Sequence, residues 1–148
     1  MLKKYCAVIG LAGVMMSAAM SEEQAANPAW SKLDPAWSRI GAQVEAQLGK
    51  QGQRVFIDLA YSSVVVEMCQ GFQLDEQKFK NGFSVIETER YKGLTPEQQK
   101  DFERDVAMFY GTYRGLLTAE GLLDTPSFCS AASNLRQSGQ IPFWMPAS

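Results

Sequence analysis

Histidine is missing from this 148-residue chain. That absence removes the usual general base at neutral pH, and with it every Ser-His-Asp or Cys-His arrangement. Metal binding loses its imidazole ligands as well, since cysteines joined only by carboxylates match a Cys/His zinc site poorly. Cysteine is scarce: Cys6, Cys69 and Cys129, with no C-x-x-C spacing to mark a redox pair. No glycine-rich phosphate loop follows a strand-like run, and no calcium-loop pattern occurs. The formal charge is −2, with 14 basic and 16 acidic residues, and no basic face stands out. A nucleic-acid partner is disfavoured on that ground. We therefore assign no catalytic residue, no metal ligand and no cofactor, and read the chain as a non-enzymatic protein.

What is present begins with an address. The chain opens "MLKKYCAVIGLAGVMMSAAMSEEQ". Lys3 and Lys4 form a basic start, Tyr5 to Met16 an apolar stretch, and Ser17 and Ala19 the small residues of a cleavage site. This is the layout of a secretory signal peptide over residues 1–19. The apolar run is shorter than the roughly 20 residues that span a bilayer. Cys6 has no small-residue lipobox before it and departs with the leader. Losing Lys3 and Lys4 takes the formal charge from −2 to −4. A periplasmic or secreted protein with no membrane span after cleavage is expected. Residues 20–34 read as an N-terminal arm and residues 35–148 as a single domain with one core.

Two cysteines then remain, Cys69 in "EMCQGF" and Cys129 in "PSFCSAA". In an oxidising compartment two thiols in a small domain favour a disulfide. Closing so long a loop contributes about 4 kcal/mol in the chain-entropy picture.

The rest of the pattern is helical. "NPAWSKL" at 27–33 is repeated almost unchanged as "DPAWSRI" at 34–40. In each copy Asn or Asp stands as a cap before proline, a helix-start signature. Trp37, Ile40, Val44 and Leu48 recur at helical spacing, and Gly49 closes a first helix over 35–48. Trp30 precedes it. The paired tryptophans read either as an aromatic clamp for a partner or as core and cover. In "RVFIDLAYSSVVVEMCQGF", Ile57, Tyr61, Val64, Val65, Met68 and Phe72 share one helical face; three valines in a row raise a strand alternative without sustained alternation.

The stretch 75–91 is ambiguous. Asp75 would cap a helix carrying Phe79, Phe83 and Ile86, whereas Asn81-Gly82 is a hairpin signal over 79–85. The helix is favoured by its flanks. Thr95, Pro96 and Gln98 then make a capping box, followed by an apolar face of Phe102, Val106, Phe109, Tyr110, Tyr113 and Leu117. Gly121 should stop this helix, and Gly111 and Gly115 should admit a close neighbour. Thr125-Pro126 starts a short last helix containing Cys129, Ala132 and Leu135, ending near Gly139. The tail "IPFWMPAS" either lies back on the core or offers Phe143 and Trp144 to a partner. The fold expected is all-α, four to five short helices around one core, stapled by one disulfide. The acidic clusters Asp75-Glu76, Glu87/Glu89 and Asp101-Glu103-Asp105 read as solvated helix faces, not as a carboxylate pair for glycoside hydrolysis.

The segment "CQGFQLDE", residues 69–76, with its cysteine, aromatic and acidic pair, resembles the HdeA family of small helical periplasmic acid-stress chaperones with one internal disulfide. The resemblance implies a protein that loosens at low pH and holds unfolding clients. Without histidine, any acid switch must use carboxylates, titrating at about pH 3 to 5. Two functions follow as expectations: an envelope protein-binding protein, such as an immunity-type inhibitor or accessory subunit, and an acid-stress holdase. Trp30, Trp37, Phe143 and Trp144 are the candidate partner-binding residues, and the partner is a protein.

Overall fold

The computed structural model describes residues 33–146. Four α-helices follow in order: α1 (Asp34–Met68), α2 (Glu76–Tyr91), α3 (Pro96–Leu123) and α4 (Thr125–Ser138). An irregular tail then runs back over the core. The expected leader over 1–19, Trp30 and most of the 20–34 segment lie outside the described residues. Among the described residues there is no strand, only an isolated antiparallel bridge between Leu74 and Trp144.

The first two helical segments of the sequence form one long element broken at Gly49, whose φ of 72° and ψ of 169° are non-helical. A side chain with Cβ is disfavoured there. The chain turns sharply at this glycine, so that Gln53 Nε2 donates to the Gly41 carbonyl at 2.8 Å. An N-terminal arm, 34–48, and a C-terminal arm, 50–68, result. The N-terminal arm begins one residue earlier than the periodicity suggests. Asp34 is its first helical residue and makes no cap hydrogen bond, because Leu33 occupies the cap position. The three valines lie within the C-terminal arm and are helical, Val64 and Val65 being fully buried.

The arms pack chiefly on α3. Phe56 sits at the junction, its ring edge-on to Phe83, Tyr110 and Tyr113 at 6.4, 6.0 and 6.0 Å. Such edge contacts suit the aromatic quadrupole and add to the area buried. Ile40, Val44 and Leu48 face this core from the N-terminal arm, and Phe102, Val106, Phe109 and Leu117 from α3.

Residues 79–85 are helical, not a hairpin. Asp75 caps α2, accepting from the Lys78 amide at 3.1 Å. Gly82 in mid-helix has a packing cause. A Cβ there would stand 2.9 Å from Leu59 Cδ2 and 3.0 Å from Phe143 Cε1. The tail's phenyl ring thus lies directly on the helix backbone, and that contact decides against the turn chemistry of Asn-Gly. The capping box of α3 is present, with Thr95 N donating to Gln98 Oε1 at 2.9 Å and Gln98 N to Thr95 Oγ1 at 3.3 Å.

Two glycine expectations are corrected. Gly121 does not stop α3, which continues to Leu123; it is the place where α1 crosses, a Cβ there meeting Met68 Sδ at 2.7 Å. Gly111 and Gly115 face open space, with nothing within 4 Å of an added Cβ. No helix approaches them among the described residues.

Cys69 and Cys129 are joined, with their Cα atoms 5.5 Å apart across a sequence separation of 60. The spacing is ordinary for a disulfide. The bond ties the end of α1 to α4. Beside it Arg136 lies over the Phe72 ring at 4.1 Å and donates to the Gly71 carbonyl at 2.8 Å.

Candidate interaction site

Of the four side chains singled out for partner binding, Trp30 is outside the described residues and the other three do not converge. Trp37 is half-buried. Its ring stacks obliquely on Tyr113 at 5.4 Å, and its Nε1–H donates to Glu120 Oε1 near the C-terminal end of α3. Phe143 and Trp144 are 7% and 4% exposed, so neither is a surface anchor. The tail takes the core alternative. Its Asp75 N–Phe143 O and Met145 N–Gln73 O hydrogen bonds, 2.9 and 2.8 Å, pair it to the loop before α2. Trp144 Nε1 donates to the Ser62 carbonyl at 3.2 Å, and its ring meets Phe72 at 5.1 Å. Large aromatics with a satisfied polar atom gain most by such burial. Met145, 45% exposed, faces outward together with Pro142 and Pro146.

A surface feature that no sequence motif announced lies elsewhere. A furrow runs between the N-terminal arm of α1 and the first half of α3. One stretch, about 440 Å³, is lined by Gln43, Ala46, Gln47, Asp105, Met108 and Phe109. The next, about 340 Å³, shares Gln47 and Asp105 and continues past Asp101, Phe102 and Leu94 to Arg90. The two shared residues are hydrogen-bonded, Gln47 Nε2 donating to Asp105 Oδ2 at 3.3 Å. Met108 stands at one end with 58% of its surface exposed.

The furrow follows from local sequence. On the N-terminal arm small and polar residues, Gln43, Ala46 and Gln47, flank the buried stripe of Val44 and Leu48. On α3, Asp101 and Asp105 lie one turn apart beside buried Phe102 and Phe109. Arg104 pairs with Asp101 at 2.9 Å and lies 3.8 Å from Asp105. These pairs are exposed and contribute little to stability. The furrow thus has an apolar floor and a wall of two aspartates partly countered by Arg104, with Arg90 also lining it. Periodicity located its floor and the charge pattern its wall, but their juxtaposition required the turn at Gly49.

Two other carboxylates are perturbed. Burial raises the Glu120 carboxyl, against the opposing effect of the Trp37 indole N–H, with Asp34 adding to the rise. Burial likewise raises Asp58, partly offset by Arg54. By contrast the capping aspartates are lowered, Asp75 by the Lys78 amide and ammonium and Asp124 by Ser127. Among the described residues no group of three or more Cys, Asp or Glu is placed to hold a metal ion. None of their helices is long and apolar enough to cross a membrane. No family model, curated protein or solved structure matches the chain.

Proposed function

We propose that this is an exported, non-enzymatic protein-binding protein of the cell envelope, acting as an inhibitor or accessory subunit, and that it receives its partner in the furrow between α1 and α3. The observation that carries the reading is the furrow's form. It is long, open and shallow, apolar at the floor and acidic along one side, which suits an amphipathic segment of a protein better than an enclosed small molecule. An apolar anchor would rest on Met108 and Phe109, with a basic side chain against Asp101 and Asp105. The leader-like N-terminus and the disulfide support the location.

The test is capture from envelope extract at pH 7 by the oxidised protein and by a Met108→Glu, Asp105→Lys variant, both positions being on the furrow rim. One partner retained at fixed stoichiometry by the first and lost by the second is the expected outcome. Identical bound fractions would overturn the assignment.

One observation favours the acid-stress holdase as a second reading. The N-termini of α2 and α4 both rest on capping aspartates whose carboxyls hydrogen-bond backbone amides. Acid would discharge both caps while the disulfide kept α4 attached. Suppression of client aggregation at pH 3 but not at pH 7 is the corresponding assay; equal behaviour at both values would dismiss it.

A further inference from the structure

A second cleft lies against the C-terminal arm, where α4 hands over to the tail. Gly139, in the left-handed conformation at φ 67° and ψ 17°, ends α4, and the Gln140 amide donates back to the Leu135 carbonyl at 3.3 Å. That turn lays Ile141 on α1. The cleft so formed holds about 260 Å³. This is below the roughly 300 Å³ at which pockets for drug-sized molecules begin. Leu135 and Ile141 form one wall and Ile57 and Tyr61 the other, with Arg54 and Asp58 at the mouth.

Those last two residues carry the argument. They are one helical turn apart, a spacing at which side chains of opposite charge meet. Yet among the described residues neither takes part in an ion pair. No hydrogen bond among the described residues engages the Asp58 carboxylate, although the residue is only partly exposed. The order, cation before anion, is the weaker one for pairing along a helix. A guanidinium and a carboxylate thus stand side by side, uncommitted, above an apolar slot. Burial raises the Asp58 carboxyl and the charge of exposed Arg54 nearby opposes the rise, although the two make no contact ion pair. A simple anion would satisfy Arg54 and be repelled by Asp58, and a simple cation the reverse. A molecule with adjacent opposite charges satisfies both.

We propose that this cleft binds a free α-amino acid with an apolar side chain: the ligand carboxylate on Arg54, its ammonium on Asp58, and its side chain between Ile57, Leu135 and Ile141. Adjacent ammonium and carboxylate groups match two side chains whose Cβ atoms are about 5–6 Å apart at this helical spacing. The Gln140 amide at the rim has a donor and an acceptor for the ligand's remaining polar atoms. The apolar slot beside the charge pair holds one apolar side chain. A peptide amino terminus lacks the neighbouring carboxylate and a carboxy terminus lacks the ammonium, so neither is equivalent.

The experiment is calorimetric or NMR titration of the oxidised protein at pH 7 with leucine, methionine, valine and phenylalanine, with glycine as the side-chain control. The best binder is then compared with its amide, which lacks the carboxylate, and its N-acetyl form, which lacks the ammonium. Saturable binding is expected, tightest for one of the apolar amino acids, with each derivative at least about tenfold weaker, a factor equivalent to one lost charged contact. Arg54→Gln and Asp58→Asn should each weaken binding about tenfold; exposed Arg54→Gln should leave the thermal melt in place, and Asp58→Asn should hold or raise it, since burial disfavours the Asp58 charge. The proposal fails if none of the apolar amino acids saturates, if the derivatives bind as well as the parent, or if both variants bind like the wild type.

Discussion

The C-terminal arm of α1 and the N-terminal arm are parts of one element, yet they are held by different means. The C-terminal arm contributes Phe56, Leu59, Ala60, Val64 and Val65, all 0% exposed, and ends in the disulfide. Helices α2 and α4 and the tail close around it. The N-terminal arm buries a single stripe, Ile40, Val44 and Leu48, and is otherwise fastened to α3 by two polar clasps, Trp37 to Glu120 and Gln47 to Asp105. Stability in a folded chain is unevenly distributed, and segments with few buried apolar contacts open first. The comparison teaches that the proposed furrow is bounded on one side by the less deeply buried of the two arms of α1.

The largest expected effect tests the locked side. Trp144→Ala removes an indole packed against Phe72 and Tyr61 and leaves the Ser62 carbonyl without its donor. A loss of about 3–5 kcal/mol is expected in denaturant unfolding, in the range for large aromatic truncations. Reducing the disulfide, or replacing both cysteines by serine, should cost about 2–4 kcal/mol through the freed unfolded chain. If either change cost less than the loss of Trp37's contacts, the contrast between the two arms would be wrong.

Glycines sharpen it at smaller amplitude. In α2, Gly82→Ala gains about 1 kcal/mol of helix propensity but drives a methyl into Leu59 and the Phe143 ring. Overpacking costs about 1–3 kcal/mol, so a net loss is expected. In α3, Gly111→Ala meets nothing within 4 Å and should stabilise by up to about 1 kcal/mol. Thermal melts of the two variants should therefore move in opposite directions.

These glycines also mark how far the sequence could be read. Helical periodicity placed the apolar faces of the N-terminal arm and of α3, and the Thr95-Pro96-Gln98 signature placed the start of α3, because both are local. In the C-terminal arm periodicity put Ile57, Tyr61 and Met68 on the core face, where Phe56, Leu59 and Ala60 are fully buried and those three only partly. The disulfide followed from cysteine number and the expected compartment. Gly121 misled, and Gly82 kept a hairpin open beside the favoured helix, because a glycine in mid-helix is chemically indistinguishable from a turn or stop until its neighbour is known. That neighbour is Phe143 in one case and Met68 in the other, each more than fifty residues distant along the chain. Gly111 and Gly115 misled in the opposite sense, having no neighbour at all. The Trp37–Glu120 clasp joins residues 83 apart and leaves no trace in local pattern. The furrow was illegible for the same reason.

A smaller perturbation addresses the clasp itself. Trp37→Phe keeps most of the contact with Tyr113 but removes the indole donor, leaving a partly buried carboxylate without it. A cost of about 1 kcal/mol is expected, confined to local opening. Amide exchange over 34–48 should quicken several-fold, with protection of 56–65 unchanged. Uniform acceleration across both arms would show that they open together.

The subtlest test is of charge. Glu120 is raised in the folded protein, above the roughly 4.3 of a free glutamate, so between the two values the folded state holds more protons than the unfolded one. Its contribution to stability therefore falls as pH rises through the folded value and is recovered on acidification. Asp75 and Asp124 work in the other direction. Being lowered, they stabilise the caps above about pH 4 and release them only as pH falls through their folded values. Mild acid should thus tighten the N-terminal clasp before stronger acid loosens the starts of α2 and α4. Glu120→Gln isolates the first effect, since an amide oxygen still accepts from Trp37 while the desolvated charge is gone. The variant should be more stable than the wild type at pH 7, with the gap closing as pH is lowered toward 4. A variant less stable at pH 7 would mean that the ionised carboxylate–indole bond outweighs the burial of its charge, and that the N-terminal arm is held more firmly than its single apolar stripe implies.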